Sequence, residues 1–526
     1  MPEASLILSN ANVITLTPRQ CRAQAIAIKD GKIVGVGTNR KIQMHVGKKT
    51  KIIDCKGKTV LPGFIDCHVH MKDFGLFLQQ VDLRNAKSIE EMQRILRQHV
   101  EKYPEQRWIT GGRWDQEKLK EKRYPTRWDL DSAISNKPAL LNRVCGHLAV
   151  VNSKALRLAG ITKHTKMRGG EVELDQNTGQ PNGILKDNAI DLVWKIIPRL
   201  GKETTKEACV LACKKAVEAG LTGVHWLVSS SEEMNILQKM CEGGTLPLRI
   251  NLGIPERLLD HVLALGMSSG FGNEMLKMGF IKILSDGSLG AQTAAMKRPY
   301  SDNPRRRGMM LYSRRDLNQI VMKAHMHGWQ IGVHAIGDRA IENVLDAYGE
   351  ALKKAPNQNH RHRIEHCSIL NQRLIARMRK LGIVASVQPH FVISDFWTVD
   401  RVGPERAQWA YPFKTLIEKG VVVASGSDCP VELINPLLGV WAAVTRKDNV
   451  NESLSAEEAL KTYTSNAAYT SFDEDKKGTI ENGKLADLTV LSDDPTKIPP
   501  EKIQDISVEM VIVNGKVAYS KEQSKH

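Results

Sequence analysis

Two histidines, His68 and His70, stand two apart at the end of the apolar run LPGFIDCHVH. Side chains alternate along a strand, so both imidazoles share one face while Cys67 and Val69 turn to the other. Two same-face imidazoles at a strand end can chelate a metal ion; an isolated His-x-His is more often two hydrogen-bonded histidines. The decision rests on whether other apolar runs add ligands. Lys282 lies inside FIKILSDG, His334 near the end of QIGVHAIG, His366 near the end of RIEHCS, and Asp428 at the end of VVVASGSD. Singly, His334 or His366 reads as a core histidine and Asp428 as a turn cap. Lys282 is harder to set aside, because a charged lysine is costly in an apolar strand. Burial depresses its pKa and frees a nucleophilic amine, which forms a Schiff base or takes up carbon dioxide as a carbamate able to bridge two metals. The simpler alternative is an ion pair with Asp286 on the same face. With four histidines in comparable positions, the bridging role is preferred.

These residues need a scaffold that brings strand ends together. Eight buried-type runs alternate with helix-like segments: GFIDCHVH, LTGVHW, LRINLGI, FIKILSDG, QIGVHAIG, RHRIEHCS, IVASVQP and VVVASGSD. Apolar strands alternating with helices predict a (β/α)8 TIM barrel, which builds its active site at the C-terminal strand ends. A doubly wound sheet is the runner-up, but no Gly-x-Gly-x-x-Gly follows the first strand. Hairpins turning at Asp30-Gly31 and Asn514-Gly515 mark small β pieces at both ends of the chain. The expected organisation is a composite β-sandwich from 1–60 and 480–526, a barrel with C-terminal helices over 61–479, and a subdomain over 75–205. That insertion fills the gap of about 150 residues between the first two strands, far beyond an ordinary βα loop, and is expected to act as a lid. His147, in CGHLAVVNS, is then a substrate-contact candidate. His225, at the end of GVHW, either faces the mouth or fills it. Asp286 is placed with the substrate-binding group, and Asp286 and Asp338 are read as ligand orienters or loop caps. Cys67 and Cys367 turn away from the pocket and read as packing residues.

Composition narrows the class. The 526 residues are 41% hydrophobic, enough for a large core and more than one domain, and the net charge is +17. The positive charge is spread along the chain; its densest cluster is the triplet Arg305 to Arg307. No recognition module accompanies it, so no nucleic-acid partner is expected. Nine cysteines without a regular framework point to reduced thiols and a cytoplasmic protein. The start MPEASLILSN lacks the basic and apolar parts of a secretory signal, and no apolar run reaches the ~20 residues of a membrane span, so no membrane partner is expected.

Taken in order, LPGFIDCHVH, IKILSDGSLG, VHAIGDRAI, RIEHCSIL, GSDCPVE and GKLADLTVL make the chain resemble the amidohydrolase superfamily, in the amidohydrolase family 3 branch that includes N-substituted formamide deformylase. The resemblance covers essentially the whole chain. It implies a distorted metal-binding barrel with a small β-sandwich from both termini. It implies His68, His70 and Asp428 as ligands of one divalent metal and His334 and His366 as ligands of a second, with Lys282 as the family's carboxylated lysine. Two zinc ions are the expectation, with iron, manganese or a single ion as alternatives. The implied reaction is hydrolysis of a non-peptide carbon–nitrogen bond in a small molecule (an amide, an N-formyl or N-acyl amine, or a cyclic amide) by metal-activated water. Asp428 serves as general base and then acid. A lactonase or phosphotriester hydrolase is the alternative on the same residues, and a non-enzymatic nucleic-acid-binding protein the weaker one. A homodimer is the assembly to test.

Overall fold

The computed structural model describes residues 2–18, 20–143, 148–167, 170–198 and 201–522. It divides into two compact units, Met1–Phe74 with Cys209–His526, and Gly75–Ala208.

The first unit holds the barrel. Its strands are β1 (Phe64–Val69), β2 (Leu221–Leu227), β3 (Arg249–Pro255), β4 (Leu276–Leu284), β5 (Gln330–Ala335), β6 (Arg363–His366), β7 (Val384–Val387) and β8 (Val423–Ser425). They lie in sequence order in one sheet and every paired neighbour is parallel. The eight apolar runs are these eight strands. Every residue of β1, β2 and β3 is buried, which is why they read as continuous apolar segments rather than alternating ones. Phe280, Ile281, Ile283, Ile331, Val333 and Ile364 are fully buried; each such side chain contributes about 1.5–3 kcal/mol on leaving water.

The seam between β8 and β1 is closed by the segment that follows β8. Asp428 N donates to His68 O at 2.7 Å and His70 N to Cys429 O at 2.9 Å. The Asp66 carboxylate spans the seam as well, accepting from His68 N and Ser427 N, each at 3.0 Å. Capped helices follow the barrel strands, one between β6 and β7 and one after β8. Asn371 caps Gln372–Leu381, and Ser455 with Glu458 forms the capping box of Ala456–Thr462.

Both termini build β structure on this unit. One sheet has the order Lys32–Gly37, Ala25–Lys29, Leu6–Ser9, Lys51–Asp54. The other has the order Lys516–Ser520, Val508–Val513, Leu488–Leu491, Thr59–Pro62, Asn12–Ile14, Arg22–Ala23, interleaving strands from the two ends of the chain. Their shared core includes Leu6, Leu8, Val13, Ile26, Val60, Leu488 and Ile512. The hairpins turn at Asp30-Gly31 and Asn514-Gly515, all four residues at positive φ as a type I′ turn requires.

The unit Gly75–Ala208 is organised on a six-stranded mixed sheet running from Gly170–Leu174 to Val81–Asp82. Both faces are covered: Leu141, Val150 and Ile184 pack with Trp114 and Leu96 on one side, Leu140, Ala149 and Leu185 with Leu156 and Val193 on the other. Trp114 is fully buried, whereas Trp128 and Trp194 are exposed. No helix among the described residues is long and apolar enough to cross a membrane, and the eight described cysteines are free.

Candidate metal centre

His68 sits at the fifth position of β1 and His70 immediately beyond the strand, so alternation carries both imidazoles to the barrel mouth. Asp428 follows β8 and meets them from across the seam. Its Oδ1 lies 3.4 Å from His68 Nε2 and 3.2 Å from His70 Nε2. One ligand atom from each of the three residues falls within 4.8 Å of the other two. Asp428 holds φ = 56°, a left-handed conformation that aspartate tolerates better than most residues. Burial pushes its carboxyl upward, but the neighbouring His68 and His70 imidazoles outweigh that and hold it well below the usual carboxylate range. His68 is buried, while the His70 side chain remains 36% exposed and gives the site its opening.

The ring nitrogen of His68 not facing Asp428 is fixed by a partner absent from the sequence reading. Its Nδ1 lies 2.6 Å from Glu365 Oε2, so Nδ1–H donates to the carboxylate and Nε2 keeps its lone pair. Glu365 is fully buried and shares its other oxygen with Arg363, whose Nε donates to Oε1 at 2.5 Å. Burial raises the Glu365 carboxyl, and Arg363 and His68 reverse this, keeping it ionised well below its ordinary value. Gly332 on the neighbouring strand makes room for the pair: a Cβ there would stand 2.7 Å from Glu365 Oε1. The signal is in the sequence: Arg363 and Glu365 are opposite charges two apart, on one face of the strand.

His366 and His334 stand beside the first three. Ring centroids are 4.8 Å apart for His68 and His366 and 4.4 Å for His334 and His366. His366 Nδ1 donates to Gln388 Oε1 at 2.7 Å, leaving Nε2 available. His334 Nε2 donates to the Gly287 carbonyl at 3.0 Å, which leaves Nδ1 available. Burial, then the neighbouring Lys282 charge, depresses His334 to about 3 and keeps it neutral. His366 has φ = 71°. That twist at the strand end lets it share the pocket although Glu365, its neighbour in sequence, also points inward.

Lys282 is buried in β4, and its Nζ has no hydrogen-bond partner. Burial lowers its pKa to about 8, against the opposing pull of Glu365 and Asp428. The alternative ion pair with Asp286 is absent among the ion pairs within 4.0 Å. Asp286 instead uses its carboxylate to accept from the backbone N–H of Ala295 (2.9 Å), Gly337 (3.0 Å) and Ile336 (3.1 Å). Burial raises its pKa to about 7. It ties two barrel loops together beneath His334, which matches the loop-cap reading rather than the substrate-contact one. Asp338 likewise accepts from Lys297 N at 2.9 Å and serves as a loop cap.

His225 does not reach the mouth. It is buried within β2, and its Nδ1 lies 2.8 Å from an Arg363 guanidinium nitrogen deep in the barrel. The β2 strand continues past it to Leu227, so of the two readings His225 is a filling residue. His147 lies outside the described residues. Cys67 packs outward with Ile65 and Ala467, as alternation requires, and Cys367 lies against Met378.

Whether these residues suit a metal is decided by their chemistry. Two imidazole nitrogens and a carboxylate oxygen converge, the second nitrogen of His68 is held by a buried carboxylate, and an amine without a partner is buried alongside. Each departs from what a merely hydrogen-bonded core would build, and together they suit a divalent cation. The model of the amidohydrolase family matches residues 51–519. The chain belongs to that family. It is an enzyme, a metal-dependent amidohydrolase. It is 35% identical to YtcJ of Bacillus subtilis, over 97% of this chain and 98% of that protein. It is 28% identical to the N-substituted formamide deformylase of Arthrobacter pascens, over 99% of each. The crystal structure of an uncharacterized metal-dependent hydrolase from Pyrococcus furiosus superposes with a TM-score of 0.79 at 32% identity, covering 94% of this chain and all of that one.

Proposed function

We propose that this amidohydrolase cleaves a non-peptide carbon–nitrogen bond in a small molecule, with N-formyl and N-acyl amines and cyclic amides as the substrate class. The observation that carries the reading is the convergence of His68 Nε2, His70 Nε2 and Asp428 Oδ1 beside the buried, unpartnered Lys282 Nζ. Full-length similarity to an N-substituted formamide deformylase supports the N-formyl end of the class.

In this reading His68, His70 and Asp428 hold one divalent ion. His366, His334 and Lys282, the last as its carbamate, provide for a second; zinc is the expected metal. The bound metal supplies Lewis-acid polarisation of a carbonyl and acidifies water toward neutral pH. The protein's own contribution is proton handling and orientation. Asp428, held ionised, takes the proton of the attacking water on a carboxylate oxygen and returns it to the departing nitrogen. Glu365 fixes the tautomer of His68 and Gln388 that of His366. The exposed edge of His70 and the side chain of Leu284, 47% exposed on the strand that carries Lys282, border the approach for substrate.

The test is a hydrolysis panel on zinc-, iron- and manganese-loaded protein, run with elemental analysis. Turnover of N-formyl or N-acyl amines, with about two ions per chain, is the expected result. Turnover confined to lactones or phosphotriesters would replace the substrate class. No turnover and no retained metal after reconstitution would reject the reading.

A further inference from the structure

A cavity of about 480 Å3 opens at the end of the barrel away from the metal centre, between the beginnings of the strands. Its walls include His225 of β2, Asn251 of β3, Lys277 of β4 and Gln330 of β5, with Asp473 and Lys477 from the C-terminal segment. That volume far exceeds the ~30 Å3 share of one water molecule and lies within the ~300–1,000 Å3 of small-molecule sites.

The polar atoms of this wall are unusual. His225 Nε2 and both Nδ2 and Oδ1 of Asn251 are buried and have no protein partner; the two residues are 1% and 4% exposed. A guanidinium only donates, so Arg363 at 2.8 Å makes His225 Nδ1 an acceptor and puts the imidazole hydrogen on Nε2. His225 Nε2 is therefore an unused donor. Nearby, one carboxylate answers two ammonium groups: Asp473 Oδ2 lies 2.7 Å from Lys277 Nζ and 3.1 Å from Lys477 Nζ. Lys476 and Glu274, both exposed, also line the cavity and offset each other, and Arg249 is matched by Asp487. The wall thus combines unsatisfied donors with one cation in excess.

We infer that this cavity binds a small oxyanion, a phosphate or carboxylate group, received by His225 Nε2–H, the Asn251 amide and the Lys277 ammonium. Ordered water alone would satisfy the amide and the imidazole but would leave the excess charge unanswered.

The experiment is thermal unfolding of the metal-loaded enzyme, titrated separately with inorganic phosphate and with malonate, against sodium chloride of matched ionic strength. A saturable rise of about 1–3 °C is expected from at least one probe. The rise should persist in Asp428→Asn, whose change is at the metal centre. It should vanish in Asn251→Asp, which puts a negative charge in the cavity wall, and in Lys277→Gln. A rise with phosphate only or malonate only assigns the ligand class. No saturable rise with either probe overturns the inference, leaving a solvent-filled cavity. Loss of the rise in Asp428→Asn also overturns it, because the anion would then sit on the metals. Retention in both cavity variants does the same. Where those two variants do not fold, the comparison of wild type with Asp428→Asn decides.

Discussion

Glu365 Oε2 lies 2.6 Å from His68 Nδ1, and neither side chain is reached by solvent. The carboxylate therefore determines which nitrogen of His68 is free to bind metal. In Glu365→Gln the amide oxygen would face Arg363 and the amide nitrogen would donate to Nδ1, moving the imidazole hydrogen to Nε2 and blocking the ligand position. Metal affinity should fall about 10–100-fold, measured by competition with a chelating dye. Unchanged affinity would show that His68 is not a ligand, or that its tautomer is set elsewhere.

Lys282→Ala tests the bridging carbamate. The amine is buried, lowered to about 8 and unpartnered, so a fraction is neutral near pH 7.5 and able to take up carbon dioxide. The variant should lose metal and turnover together, and short carboxylic acids such as acetate should restore part of the activity by filling the vacated space. Metal content and thermal unfolding are to be measured on one preparation. Full occupancy with near-normal turnover would defeat the bridging role; reduced stability with metal retained would make Lys282 a structural residue.

What the sequence displayed followed from burial. Parallel strands covered on both faces must be apolar runs, so all eight were visible, and polar residues at their ends stood out. What it concealed followed from places where alternation fails. His366 and Asp428 sit at φ = 71° and 56°, so strict alternation cannot say which neighbours share the pocket with them. Glu365 is masked by His366 beside it, because strict alternation from an inward His366 turns residue 365 outward. Asp286 falls into the substrate-binding group on sequence because nothing in its context reveals three backbone donors arriving from residues 295, 336 and 337. Asp66, which fastens β1 to the loop after β8, depends on a partner more than 360 positions away.

The enzyme should lose stability in mild acid. His362 Nδ1 accepts from Ile331 N at 3.2 Å, and its Nε2 lies 2.9 Å from His325 Nδ1; His360 Nδ1 accepts from His362 N at 2.8 Å. These roles require neutral rings. Burial, then neighbouring histidines, lowers His362 well below 6.5, and burial lowers His360. A depressed folded pKa means that the unfolded chain binds the proton more tightly. The stabilisation is therefore complete above about pH 6.5 and lost as pH falls through the lower folded values. The thermal midpoint should drop from pH 7 to pH 5, and His362→Gln should flatten that slope. An equal slope in the variant would locate the acid sensitivity elsewhere.

Arg249 and Asp487 provide a stability test that leaves the metal centre alone. Arg249 begins β3 and Asp487 immediately precedes the strand Leu488–Leu491, so the pair fastens the barrel to the sheet built from both termini. Arg249 Nε meets Asp487 Oδ2 at 2.6 Å, with side chains 3% and 4% exposed, and Asp487 Oδ1 also accepts from Asn514 N at 2.9 Å. Coulomb attraction between buried charges is largely cancelled by desolvation, so the net worth of the pair is small. Removing one member is different, because the survivor keeps its desolvation penalty without its partner. Asp487→Ala should cost about 3–5 kcal/mol, read from the urea midpoint of the barrel-containing unit. The double variant Arg249→Met with Asp487→Leu should recover most of that loss. Both should retain metal, since neither residue contacts His68, His70 or Asp428. A loss below about 0.5 kcal/mol in Asp487→Ala, the ordinary range for a surface change, would mean that solvent reaches Arg249 and that the clamp does not hold the two parts together.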